Sequence, residues 1–247
     1  MPRSEVFLAG RDFNGRGVVI TGGAGGIGRA LARSFGGAGA KIAIVDLPSS
    51  PLGMAREELA SAGIEALALP CDITDREQVR DAMATIREAF GSIDVLINNA
   101  GIAHRSAFAD TQPEVFRRVM EVNLFGALHC TQACMDDLVA NRGLIIAVSS
   151  IAGLAPLYGR SGYAASKHAM HGLFGRCADG LPFIRRLGNR SIGTWCGRQT
   201  HRPATLKNRT TRCSRRRGRR SIEGGAVRTQ APRAHSAWQN QRAPIEP

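Results

Sequence analysis

The sequence lacks any stretch close to the roughly 18 consecutive apolar residues that a membrane-spanning helix requires. Its opening, MPRSEVFLAGRDFNGRG, holds no apolar run fit for a signal peptide. The six cysteines contain no C-x-x-C pair, and Cys130 and Cys134 stand one turn apart in an expected helix. Buried or free thiols in a reducing compartment are therefore expected, rather than a disulfide framework or a metal site, and the expected location is cytoplasmic. No internal repeat is visible. Acidic residues nearly vanish from the last 74 positions: residues 174–247 carry 17 basic side chains against Asp179, Glu223 and Glu246, a net of +14. Residues 1–173 carry 16 Lys+Arg against 17 Asp+Glu, a net of −1, so the overall +13 belongs entirely to the C-terminal part.

What is present before that break is a regular alternation. Apolar runs bounded by turn residues occur at GVVIT (17–21), KIAIVD (41–46), EALALPCD (65–72), DVLINNAG (94–101) and GLIIAVSS (143–150). Between them lie helical patterns at about 26–36, 51–62, 75–90, 112–140 and 162–174. Near-continuous apolar strands mark a sheet covered on both faces, and strand–helix alternation implies an α/β, doubly wound parallel sheet. Pro51 and Pro113 suit first-turn positions, and Thr74 or Asp75 suits the cap of the third helix. Past Phe174 neither period survives. Residues 198–233 are dominated by Arg, Thr, Gly, Ser and Pro, a composition that offers little apolar surface to offset the entropy of ordering. The expected organisation is thus a domain over 1–174 and an Arg-rich, disordered tail over 175–247.

The first strand runs into T-G-G-A-G-G-I-G, Thr21 to Gly28, and then a helix. Glycines there let the backbone turn tightly and approach a pyrophosphate, while the helix N-terminus offers N–H groups and a favourable dipole. Taken alone such a turn is weak, but Asp46 ends the second strand 18 residues beyond Gly28, close to the spacing of about 20 expected of an acid on the adenosine ribose. That carboxylate also repels a 2′-phosphate, and no Arg or Lys lies between Thr21 and Gly28, so NAD is expected over NADP. At the other end of the domain Tyr163 and Lys167 form Y-x-x-x-K, sharing one helix face. A free phenol, with a pKa of about 10, is a poor acid–base at neutral pH; an ammonium one turn away favours the phenolate. Tyr163 then takes a proton from an alcohol as hydride leaves, or returns one to a carbonyl. Ser150, at a strand's C-terminal end, is placed to hydrogen-bond the same oxygen. His168 and His171 resemble a metal pair, but no third ligand stands out and no metal is expected.

With these motifs, residues 15–174 resemble a short-chain dehydrogenase/reductase with a single-domain Rossmann fold. The matching segments are TGGAGGIG, the acid of IVDL, CDITD, NNAG (98–101), the asparagine of MEVNLFGA, and SSIAG with YAASK. The resemblance implies an NAD-dependent oxidoreductase acting on a secondary alcohol or ketone. It implies cofactor contacts from Thr21, Gly22, Gly26, Ile27, Gly28 and Asp46, an adenine contact from Asp72 with Ile73, and a cleft lined by Asn99, Ala100 and Gly101. Asn123 would hold a relay water reaching Lys167, and Ser150, Tyr163 and Lys167 match the catalytic serine, tyrosine and lysine. Lys167 would also hold the nicotinamide ribose. His104 and Arg105 fall where the family often lines its substrate.

After Phe174 the family's sixth strand, its Pro-Gly-x-x-x-Thr segment and its seventh strand are not recognisable, and Pro182 interrupts the expected helix. A shift of reading frame is one explanation, since out-of-frame translation of GC-rich DNA would give such an arginine-rich tail. On that expectation the strand at 143–149 becomes an exposed sheet edge. Two alternatives follow: a nucleotide-binding pseudoenzyme, and nucleic-acid binding through segments such as RCSRRRGRR (212–220). The latter lacks interleaved aromatics and is expected to be nonspecific. A homodimer through helices 112–140 and 162–174 is also expected.

Overall fold

The structure is a computed structural model, and it describes residues 12–155, 157–176 and 184–187. Of the tail expected over 175–247, residues 177–183 and 188–247 lie outside the described residues.

Among the described residues, six parallel strands form one sheet: β1 (Gly17–Thr21), β2 (Lys41–Asp46), β3 (Ala66–Pro70), β4 (Val95–Asn98), β5 (Leu144–Val148) and β6 (Ile184–Leu187), in the order β3-β2-β1-β4-β5-β6. The helices are α1 (Gly26–Gly36), α2 (Leu52–Ser61), α3 (Arg76–Phe90), α4 (Pro113–Met120), α5 (Ala127–Ala133), α6 (Met135–Ala140) and α7 (Ser161–Arg176). Side chains alternate across a strand, so one apolar run feeds two cores. Val18 and Ile20 pack with Phe35 of α1 and Leu59 of α2. Val19, between them, packs on the opposite face with Met83 and Ile86 of α3, Cys130 of α5 and Phe174 of α7. Each fully buried Ile, Leu or Phe is worth about 1.5–3 kcal/mol, which explains why both faces of the sheet read apolar.

Local signals place the helix ends. The Asp75 carboxylate accepts from the N–H groups of Glu77 and Gln78 and starts α3, a cap worth about 1 kcal/mol. Pro113 occupies the first turn of α4 as expected, whereas Pro51 precedes α2 as its N-cap. The helix expected over 112–140 is interrupted twice. A π-turn over Glu121–Gly126 separates α4 from α5, and Cys134 separates α5 from α6. The π-turn carries Asn123, whose buried side chain is committed to Ile102 and Ser166 rather than to a helix surface. Such insertions are frequent where a helix serves a site.

One expectation is corrected here. β5 is not a bare edge: β6 pairs with it in parallel, with Ile145 opposite Ile184 and Val148 opposite Leu187. Strand pairing is made by backbone groups, so a segment as arginine-rich as IRRL can extend a sheet although its composition conceals it.

Candidate active site

The strand order reverses between β1 and β4, and the crevice outside the carboxyl ends of the strands there is where open α/β sheets receive ligands. The sequence motifs converge on that crevice. Thr21, 1% exposed, ends β1, and its hydroxyl accepts from the N–H groups of Asn99 and Ala100, each at 3.1 Å. The Asn99 amide donates back to the carbonyls of Thr21 (2.9 Å) and Gly22 (3.0 Å). These bonds clamp the first and fourth strand ends together, so Thr21 and Asn99 shape the crevice from below. Gly22 has φ +64°, and a Cβ there would stand 2.8 Å from Ala100 Cα. Gly28 is equally constrained, since its Cβ would stand 2.3 Å from the Gly22 carbonyl. Only glycine permits either approach.

Gly26 differs. A Cβ there meets nothing within 4 Å, and no side chain caps the N-terminus of α1. Ile27 beside it is largely exposed. Uncapped first-turn N–H groups facing open space fit an anionic group such as a pyrophosphate. Asp46 borders the same turn. Its carboxylate accepts from Ala24 N (3.0 Å), Leu47 N (2.8 Å) and Ser50 Oγ (2.7 Å), tying β2 to the glycine turn and leaving acceptor capacity on Oδ2. No Lys or Arg pairs with Asp46 among the described residues. Farther along, Asp72 accepts from the Thr74 N–H and hydroxyl and stands 3.9 Å from Arg118. The Ile73 side chain is buried against Gly126, and the His129 ring lies 3.2 Å from its carbonyl. The Ile73 side chain is therefore spent on packing rather than on the crevice.

At the other end, Lys167 is 4% exposed. Its Nζ donates to the Val148 carbonyl at 2.9 Å, lies 3.4 Å from Met170 Sδ, and stands 5.8 Å from the centre of the Tyr163 ring. Burial pushes its ammonium down from the ordinary 10.5 to about 8. A Cβ at Gly101 would fall 3.1 Å from Asn123 Oδ1 and 3.6 Å from Lys167 Nζ, so Gly101 sits between those two side chains. Asn123 is fully buried. Its Oδ1 accepts from Ile102 N (2.8 Å), and its Nδ2 donates to Ile102 O (3.0 Å) and Ser166 Oγ (2.9 Å). Ser166 in turn donates to the Tyr163 carbonyl at 2.8 Å. Asn123 thus couples the loop after β4 to the helix bearing Tyr163. Ser150 follows β5, and its Oγ accepts from Ala152 N at 3.2 Å, which leaves its proton free to donate outward. Ile102, Leu154, Leu157 and Tyr158 stand exposed on the loops beside this group.

Sequence reasoning missed Ser166, Met170 and Ser50. Ser166 lies inside YAASK, and Ser50 follows Asp46 by four residues, but only the fold reveals what either hydroxyl bonds. His104 and Arg105 lie exposed on the loop after β4.

The short chain dehydrogenase family model matches residues 16–182, past the point at which the sequence pattern fades. Dehydrogenase/reductase SDR family member 7B of Bos taurus is 42% identical over 164 residues, covering 64% of this chain and 50% of that protein. Cis-2,3-dihydrobiphenyl-2,3-diol dehydrogenase of Paraburkholderia xenovorans is 38% identical over 187 residues, covering 73% and 66%. The chain spans about half the length of the first of these relatives. Among solved structures, an NAD+-bound xylitol dehydrogenase superposes with TM-score 0.68 at 31% identity, covering 72% of this chain and 70% of the other. A short chain dehydrogenase/reductase from Burkholderia phymatum in complex with NAD gives 0.69 at 27%, covering 72% and 66%. With the fold, the order of its motifs and a family match over well more than half its length in agreement, the chain belongs to the short-chain dehydrogenase family.

Proposed function

We propose that the protein is an NAD-dependent oxidoreductase that interconverts a secondary alcohol and a ketone. The observation that carries this reading is the buried ammonium of Lys167, held by the Val148 carbonyl beside the Tyr163 ring at the carboxyl edge of the sheet. Burying a cation is costly and is retained where chemistry needs it. Gly22, Gly26, Ile27 and Gly28 would receive the dinucleotide's phosphates, Asp46 the adenosine ribose, and Asn99, Ala100 and Gly101 the nicotinamide end. When bound, the nicotinamide supplies the hydride acceptor or donor. Tyr163 takes the hydroxyl proton of the alcohol, or returns one to the ketone oxygen. Ser150 donates a hydrogen bond to that oxygen, and Lys167 stabilises the phenolate. Asn123 holds the Ile102 loop and the Tyr163 helix in register, and its backbone is left to carry a relay water toward Lys167.

Two NAD-bound relatives in structure support a nicotinamide cofactor; Asp46 supports NAD over NADP. We further assign a homodimer surface to the helical segments 112–140 and 162–174, where Phe125 of the π-turn stands exposed, and a cytoplasmic location consistent with the buried free thiols of Cys71, Cys130 and Cys134. Matched assays with NAD+ and NADP+ test the cofactor: turnover should favour NAD+ strongly, and equal turnover removes the role given to Asp46.

A further inference from the structure

His171 lies one turn past Lys167 and two past Tyr163, on the same face of α7. Its Nε2 hydrogen-bonds the hydroxyl of Ser149, the residue immediately before Ser150. Over the same imidazole lies the short 3-10 turn Ile151–Gly153 that Ser150 opens. A Cβ at Gly153 would stand 3.1 Å from both Cε1 and Nε2 of His171, and 2.9 Å from the Lys167 carbonyl. The ring is therefore held at the start of the serine turn by a hydrogen bond, and at the turn's end it fills the space that a side chain at Gly153 would need. Nothing in the proposed chemistry uses His171 or Ser149.

We infer that His171 is a positioning residue: through Ser149 it fixes the turn carrying Ser150 against the helix carrying Tyr163 and Lys167. The inference rests on the role given to Ser150 in the proposed reaction. The geometry is that of a tie between two elements. β5 delivers Ser149 and Ser150, α7 delivers Tyr163, Lys167 and His171, and the Ser149–His171 bond joins them one residue from the hydroxyl that must meet the substrate oxygen. Misplacing such a group costs rate rather than nucleotide affinity, because reacting groups tolerate little displacement. The glycine at 153 completes the device, since any side chain there would push the turn off the ring.

The test uses the full chain in five forms besides wild type: His171→Phe, His171→Gln, Ser149→Ala, the double variant His171→Phe/Ser149→Ala, and Ser150→Ala. Phenylalanine keeps a ring over which Gly153 can lie and removes the nitrogens; glutamine returns a polar atom near the Nε2 position. Hydrogen exchange of the peptide spanning 149–154 is read on the protein without nucleotide, with the β2 peptide as control. Loss of the tie should speed that exchange about two- to tenfold in His171→Phe and in Ser149→Ala, the range that one hydrogen bond supplies, with β2 unchanged. The double variant should match the single ones rather than multiply them, and His171→Gln should restore the slow rate. With NAD+ and cyclohexanol, kcat should fall by a similar factor while the KM for NAD+ holds. Unchanged exchange in both single variants, or multiplied effects in the double, overturns the inference whatever the turnover. If instead Ser150→Ala keeps the full rate while the exchange pattern appears as expected, the role of Ser150 fails and the tie itself stands.

Discussion

Replacing Lys167 with methionine should make the protein more stable and catalytically dead, and the size of the gain follows from burial. The side chain is 4% exposed, and its ammonium is pushed from 10.5 to about 8 by desolvation. The folded state therefore binds this proton less tightly than the unfolded state does, so stability is withheld below about 8 and recovers as pH rises toward 10.5. At about 1.4 kcal/mol per tenfold change in proton affinity, the charge costs about 3 kcal/mol at pH 7 and about half that at pH 9.5. Methionine has similar length and no charge, but it forfeits the bond to the Val148 carbonyl, worth about 1 kcal/mol. The net expectation is a gain of about 2 kcal/mol at pH 7, which with a urea dependence of about 2 kcal/mol per molar raises the unfolding midpoint by about 1 M. Near pH 9.5 wild type and variant should unfold almost together. A midpoint for Lys167→Met that is equal to or below wild type at pH 7, or a gain that does not shrink with pH, refutes the reasoning. The result bears on function because a residue that costs the fold this much is kept for what it does.

Two further outcomes separate the roles of individual residues. Gly26→Ala should leave thermal unfolding nearly unchanged, because its Cβ meets nothing within 4 Å, yet weaken NADH binding at least about tenfold if a pyrophosphate occupies that space; Gly28→Ala, with its Cβ 2.3 Å from the Gly22 carbonyl, should lower stability and binding together. Arg142 has φ +49° at the position after the α6 cap, where Gly143 N bonds Leu138 O and Arg142 N bonds Val139 O; glycine is favoured there, so Arg142→Gly should stabilise by about 1 kcal/mol in urea unfolding.

Most of the framework was legible because its causes are local. Two-sided apolar strands, the Asp75 cap and the glycine turn each announce themselves within a few residues, and α1 spans 26–36 as expected. The π-turn in the 112–140 segment was hidden because its Asn123 is engaged with Ile102 and Ser166, 21 and 43 residues distant in sequence. β6 was hidden for a different reason: a backbone ladder asks little of composition, and its partner β5 lies across a long intervening segment. In the site, residue identities were readable but their working atoms were not. The family resemblance placed Thr21 and Asn123 at the crevice; it could not tell that their side chains are spent on holding loops together, or that Ile73 turns inward against Gly126. Burial decides such matters, and burial is a property of the assembled fold.

The most direct measurement compares wild type and Tyr163→Phe for NADH binding and for hydride transfer in the same soluble preparations. Binding should agree within about twofold while turnover falls by about a hundredfold or more, as loss of a positioned acid–base requires. Hydride transfer at the wild-type rate in the phenylalanine variant would contradict the account.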